Sequence, residues 1–279
     1  MERFIGFIFS LVIIVLLALL VRRGLDHLAD RRRIAQLASL QSEHPDPFSL
    51  HMIKDLPEPA RRFFQFCIEP GTPLFTVAFI NMTGQFGMGT KAKPDYLKMA
   101  ANQALACPAG FVWKMNATRG LMRVSGSDSA SWTRFWLMGL LPVARMGNNP
   151  DHKRSAFGRY VSEAVIWSPA AVLPGPDVEW TLIGNDCARV TVRHDELEQS
   201  VDITVDEDGR PTTVSFERWT NANPEKRYQL QPFGAFLSDY ESFQGFRLPT
   251  HVEAGNDFGT DRYFPFFIAD VRSIMFPPK

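Results

Sequence analysis

The stretch Arg154-Ser155-x-x-Gly158-Arg159-Tyr160-x-x-Glu163-x-x-x-Trp167 holds the residues of this chain whose types and spacing could do chemistry. On a helix, at about 100° per residue, Ala156, Tyr160, Ala164 and Trp167 share one face. Glu163 falls on the edge of that stripe, and Arg159 lies one turn earlier beside it. A carboxyl in an apolar setting can act as a general acid or base, and Arg159 or the more distant Arg218 could hold an anionic group. The same Arg159/Glu163 pair on an open surface would contribute only a few tenths of a kcal/mol. At the edge of a buried face it closes a pocket or anchors a strand, and buried ion pairs are more often architectural than catalytic. Candidate ligand-binding residues are therefore Arg159, Tyr160, Glu163, Trp167, Trp113, Arg218 and Tyr240. No catalytic residue, metal ligand or cofactor is assigned.

Other patterns carry little. Asp206-Glu207-Asp208-Gly209 has the wrong acidic spacing for a calcium loop and reads as a hairpin turn in which Gly209 supplies the positive φ. Gly84, Gly87 and Gly89 are in the wrong order for a dinucleotide fingerprint and read as a loop or bulge. G-x-S-x-G, Walker and H-E-x-x-H motifs do not occur, and the six histidines are scattered.

The elements that must position these residues follow from periodicity. Asn149 as N-cap, Pro150 at the first position and Asp151 in the first turn open a helix that runs to Trp167, where Ser168-Pro169 stops it. Gly158 in its middle costs about 1 kcal/mol relative to alanine and marks close packing against a neighbour. Pro57-Glu58-Pro59 opens a shorter helix that puts Ala60, Phe63, Phe64 and Cys67 on one face. Alternating runs at 74–83, 96–104, 111–117 and 120–125 read as strands. So do 178–183, 188–194, 199–205, 212–219, 227–231, 237–240, 250–253 and 266–274. The fold class expected is α+β and mainly antiparallel β: a large curved sheet or open half-barrel with one or two packed helices.

Ahead of this region, Phe4 to Val21 is an uninterrupted apolar run closed by Arg22 and Arg23. As a helix it reaches roughly 27 Å, close to the ~30 Å hydrocarbon core of a bilayer. It is longer than a signal-peptide h-region and lacks small residues at a cut, so it is expected to be a retained single-pass anchor in an inner (cytoplasmic) membrane. Residues 22–46 are expected to form a juxtamembrane helix and linker, resting on anionic headgroups or solvated, and 47–279 a single β-rich domain. Arg22, Arg23 and Arg31 to Arg33 outweigh Arg3, which places that domain in the cytoplasm, with the periplasm as the alternative. Net charge is zero, so nothing favours nucleic acid as a partner. Three widely spaced cysteines argue against a disulfide framework or thiolate zinc site. The 23 phenylalanines either fill a core or line an apolar cavity.

Several motifs carry a resemblance. They are Pro108-Ala109-Gly110-Phe111-Val112-Trp113, the Asp151–Trp167 stretch with Pro169, and Gly209-Arg210 ahead of Arg218-Trp219. Gly245-Phe246-Arg247-Leu248-Pro249 and Gly259-Thr260-Asp261-Arg262 complete the set. Together, from about Leu56 to Phe276, they resemble an uncharacterised bacterial protein family, a resemblance that names relatives without an activity. Tyr240, Gly245, Leu248 and Pro249 also resemble a pattern in the half-barrels that carry lipids or lipoproteins between bacterial membranes.

Three functions are open: a module binding a lipid or other hydrophobic ligand in an apolar cavity, a membrane-tethered scaffold for protein partners, and an enzyme acting on a membrane-derived substrate. The order of preference is as given, with no catalytic motif to support the last. In the scaffold reading Arg134, Arg145, Lys153 and Arg154 are ordinary solvated charges. A reporter fused after Lys279 is expected to be active only in the cytoplasm. Activity confined to the periplasm would reverse the orientation.

Overall fold

The computed structural model describes residues 2–276. Three helices, α1 (Glu2–Ala38), α2 (Glu58–Cys67) and α3 (Pro150–Trp167), accompany one antiparallel sheet. Its strands are β1 (Val77–Gly87), β2 (Tyr96–Ala106), β3 (Gly110–Arg119), β4 (Met122–Ser129), β5 (Trp132–Leu137), β6 (Leu141–Gly147), β7 (Val178–Gly184), β8 (Cys187–His194), β9 (Leu197–Val205), β10 (Pro211–Thr220), β11 (Gln229–Phe243), β12 (Phe246–Asn256) and β13 (Phe264–Met275).

Their order in the sheet is β6-β5-β4-β3-β2-β1-β13-β12-β11-β10-β9-β8-β7. Two meanders therefore meet where β1 pairs with β13, and α3 connects the two free edges. One helix touches β2, β3 and β6 as well as β9, β10 and β12, so the sheet must curl around it. Edge strands β6 and β7 do not pair, which leaves the curl an open half-barrel.

Strand alternation divides the core between two faces. Ala78, Ile80 and Met82 of β1 with Phe111, Trp113 and Met115 of β3 belong to the main inner core, which α2 and α3 cover. Their neighbours Val77, Ala104, Ala106 and Val112 point outward and are covered by Leu37 of α1. Gly158 lies where α3 crosses β9 and β10: a Cβ there would fall 2.6 Å from Gln199 Oε1 and 3.1 Å from Phe216. Gly209 has φ +83° in its turn and lies against the Arg62 carbonyl of α2.

Four features differ from the sequence expectation. Strands β5 and β6 had no expected counterpart, and the separate runs 227–231 and 237–240 are one strand, β11. The juxtamembrane segment is not a solvated linker over residues 22–38. It continues α1 without a break and docks on the outer face of the sheet. Arg134 and Arg145 are not solvated charges, because both bind Asp26 of α1, at 3.0 and 2.6 Å. Trp136 Nε1 donates to the same carboxylate at 3.0 Å, and Asp30 accepts from Ser127 and Arg134. Residues 4–21 project beyond the sheet, almost wholly exposed, and Arg3–Ala38 is long and apolar enough by length and composition to cross a membrane.

Burial alone would raise the Asp26 carboxyl, but hydrogen bonds from Arg145 and Trp136 and the charge of Arg134 outweigh it and lower the pKa below the ordinary 3.8. A depressed carboxylate stabilises the fold fully above its unfolded value and loses that contribution as pH falls through the folded value. Asp26→Ala, which strands Arg145 and leaves Arg134 with Asp30 alone, is expected to cost about 3 kcal/mol in denaturant unfolding at pH 7. The gap between wild type and Asp26→Asn should close only below about pH 4.

Candidate functional site

Between α3 and the inner face of the sheet lies a cavity of about 310 Å3. That is near the lower end of the ~300–1,000 Å3 range of small-molecule sites. Its walls are largely aromatic and aliphatic, with Phe86, Trp113, Phe135, Ile166, Phe216 and Phe233 among them. The polar side chains it meets are few: Arg159, Glu163, Asp128, His152, Thr133 and Arg218 are the principal ones.

Arg159 is held by two carboxylates. The helix sets it one turn before Glu163, and their side chains meet at 2.7 Å. Its Nη1 reaches Asp128 on β4 at 2.6 Å, while the guanidinium lies over the rings of Phe111 and Trp113 at 4.6 and 5.0 Å. Burial would lower the Arg159 pKa, but the charges of Glu163 and Asp128 outweigh it and raise it. The other Glu163 oxygen accepts from Gln103 Nε2 at 2.6 Å. Asp128 accepts from Thr133 Oγ1, which in turn meets His152 Nε2 at 3.1 Å. The result is a line of hydrogen-bonded polar groups tying α3 to β2, β4 and β5. With both its oxygens held, Glu163 serves as a structural tie.

Arg218 is the opposite case. It rises from β10 on the cavity wall and stacks over Phe233 at 4.9 Å. Its Nε is buried, and among the described residues the side chain makes no hydrogen bond or ion pair. Burial, reinforced by the neighbouring Arg159 charge, pulls its pKa down to about 10, so it remains charged at neutral pH. Trp113 Nε1 and His152 Nδ1, on the same cavity, are also buried without a protein partner among the described residues. Buried donors without acceptors are costly, and a guanidinium most of all. Chemically, this wall can receive a group rich in acceptor oxygens, above all an anionic one.

The structure brings Arg159, Glu163, Trp167, Trp113 and Arg218 together around this cavity. Trp167 contributes its ring while its Nε1 donates to the Pro249 carbonyl at 3.2 Å. Tyr160 and Tyr240 are elsewhere, and each spends its hydroxyl on a backbone carbonyl. Tyr160 donates to Pro108 and packs on Phe111 and Phe157, and Tyr240 donates to Pro211 and packs on Phe66. Asp128, Thr133, His152 and Gln103 escaped the sequence reading. Gln103 alone left a signal, as a polar residue on the face of β2 that Ala101 and Leu105 mark as buried.

The model of a family of unknown function (DUF6544) matches residues 46–268. The chain belongs to this family. No curated protein matches it. Among solved structures, a LolA superfamily protein from Nitrosomonas europaea is similar at 9% identity and a TM-score of 0.41, over 78% of this chain and 92% of that one. A domain described as an outer membrane lipoprotein-sorting protein from Vibrio parahaemolyticus is similar at 8% and 0.36, over 72% and 86%. A DUF1329 family protein from Desulfovibrio piger is similar at 10% and 0.40, over 78% and 90%.

The two modes of arginine predict opposite mutational costs, beginning with the engaged one. Arg159→Met leaves Asp128 and Glu163 without their cation and is expected to cost about 3–5 kcal/mol in equilibrium unfolding. Glu163→Gln, which retains shape and leaves Asp128 to hold Arg159, should cost about 1–2 kcal/mol.

Proposed function

We propose that this chain is a membrane-tethered binding domain that takes an apolar ligand with one anionic head into the cavity beneath α3. Residues 4–21 serve as the anchor, 22–46 as the helix and linker that attach it, and the region from 47 onward as the single binding domain. The apolar part of the ligand lies among the rings of Phe86, Phe135 and Phe216, and its head meets Arg218. A cavity of about 310 Å3 suits a single-chain amphiphile better than a bulky one.

The observation that carries this reading is Arg218, which lines the cavity with a buried Nε that no protein acceptor meets, whereas the neighbouring Arg159 is ion-paired. Asp128 and Glu163 offset part of the Arg218 desolvation only at a distance, and no carboxylate bonds it directly. A ligand carboxylate or phosphate would supply both the charge and the acceptors. Arg159 cannot take that role while Asp128 and Glu163 hold it.

The test is native mass spectrometry of residues 22–279, which keep the docked half of α1, purified from cells without detergent. Extra mass that organic extraction releases as an acidic amphiphile is expected. In Arg218→Met that mass should be lost while stability stays within about 1 kcal/mol of wild type or rises. A clean apo mass for the unsubstituted protein, or an equal load on Arg218→Met, would refute the reading.

A further inference from the structure

The attachment of α1 fixes more than a tether. The helix crosses the outer face of the sheet obliquely, from Leu37 over β1–β3 back to Asp26 over β5 and β6. Its last contact with the sheet before the apolar run is Arg23. That side chain donates to Ser125 on β4 at 3.3 Å and lies so close over Gly139, in the β5–β6 turn, that a Cβ there would overlap it. Arg22 and Arg23 are also the residues that close the apolar run. At a rise of about 1.5 Å per residue, Val21 is only ~3 Å further along the helix axis. The level at which the chain would enter a bilayer is thus the level of the β5–β6 turn.

That turn is not dressed for water. Met138, Leu140 and Leu141 are all exposed on it. The Met138 amide donates to the Arg123 carbonyl at 2.7 Å, which holds the β3–β4 turn alongside. On the latter, Leu121 is 95% exposed, more than any other large apolar side chain among the described residues. Basic residues frame this apolar tip: Arg22 and Arg23 on the helix, Arg123 on β4, and Arg119, which is paired with Asp95. Apolar side chains at the tip of a turn, ringed by arginine and held at the mouth of a membrane span, have the composition of an interfacial anchor.

We infer that the β3–β4 and β5–β6 turns form a second membrane contact, inserting Leu121, Met138 and Leu140 into the headgroup–acyl boundary of the leaflet that α1 leaves, with Arg22, Arg23 and Arg123 against anionic headgroups. The inference rests on residues 4–21 being a membrane anchor. Its physical effect is to replace a swinging tether by a two-point attachment, so that the half-barrel holds one orientation on the bilayer. Each arginine near an anionic surface adds about 1 kcal/mol, and the leucines add burial of their own.

The experiment uses the full chain in phosphatidylethanolamine/phosphatidylglycerol vesicles. In a Cys187→Ser background, with Cys67 and Cys107 buried, an NBD fluorophore is placed at Leu121→Cys or Leu140→Cys. The control is Ser131→Cys, in the β4–β5 turn at the other end of the same strands, about 20 Å away. Co-flotation of the protein with vesicles, with several-fold stronger quenching of the two tip labels by shallow doxyl-lipid than of the control, is the expected result. Co-flotation with tip labels quenched no more than the control would overturn the second contact and leave the anchor standing. Failure to co-float would remove the anchor, and the second contact with it.

Discussion

An open sheet of thirteen antiparallel strands has two faces to cover and two edges to finish, and the positions of all three helices follow from that constraint. Curling brings the inner faces of distant strands within reach of one helix, so α3 can cover β2, β3, β9, β10 and β12 at once. The outer face of β1–β3 carries its own apolar row and needs a second cover, which α1 supplies with Leu37. Because α1 also carries the chain's apolar run, the cover of the outer face and the segment long and apolar enough to cross a membrane belong to one continuous helix.

The polar groups inside this arrangement fall into two kinds. Asp26 with Arg134 and Arg145 outside the sheet, and Arg159 with Asp128 and Glu163 inside it, are closed networks in which each charge meets its opposite. Such groups hold elements in register through their ion pairs, although the Arg134 Nε is also buried without a partner. Arg218 is the open kind, charged and stacked on Phe233 with its Nε unbonded. The difference is one of neighbours. Positions 159 and 163 sit one helical turn apart and guarantee each other a partner, whereas the strand position of Arg218 offers no local carboxylate.

Much of the architecture was legible because local signals and tertiary environment agreed. The Asn149-Pro150-Asp151 start of α3 is realised with the Asn149 side chain accepting from the His152 amide at 2.8 Å. Strand β8 and the second half of β9 alternate because one face is buried and the other is more open to water. Strands β5 and β6 were not legible. Arg134 and Arg145 look like solvent-facing charge, and only the buried Asp26, over a hundred residues earlier, makes them interior. Strand β11 was split because Pro232 and Gly234 mimic a turn.

The sequence by itself determined the antiparallel class, the start of α2, both ends of α3, the apolar run and the candidacy of Arg159, Glu163 and Arg218. These rest on period, capping and charge, which are properties of neighbours along the chain. Only the tertiary structure decided that Tyr160 and Tyr240 face away from the cavity, that Arg159 is spoken for, and that Arg218 is not. Which carboxylate reaches which guanidinium depends on the curl of the sheet, and that curl is set by long-range packing rather than by any local stretch.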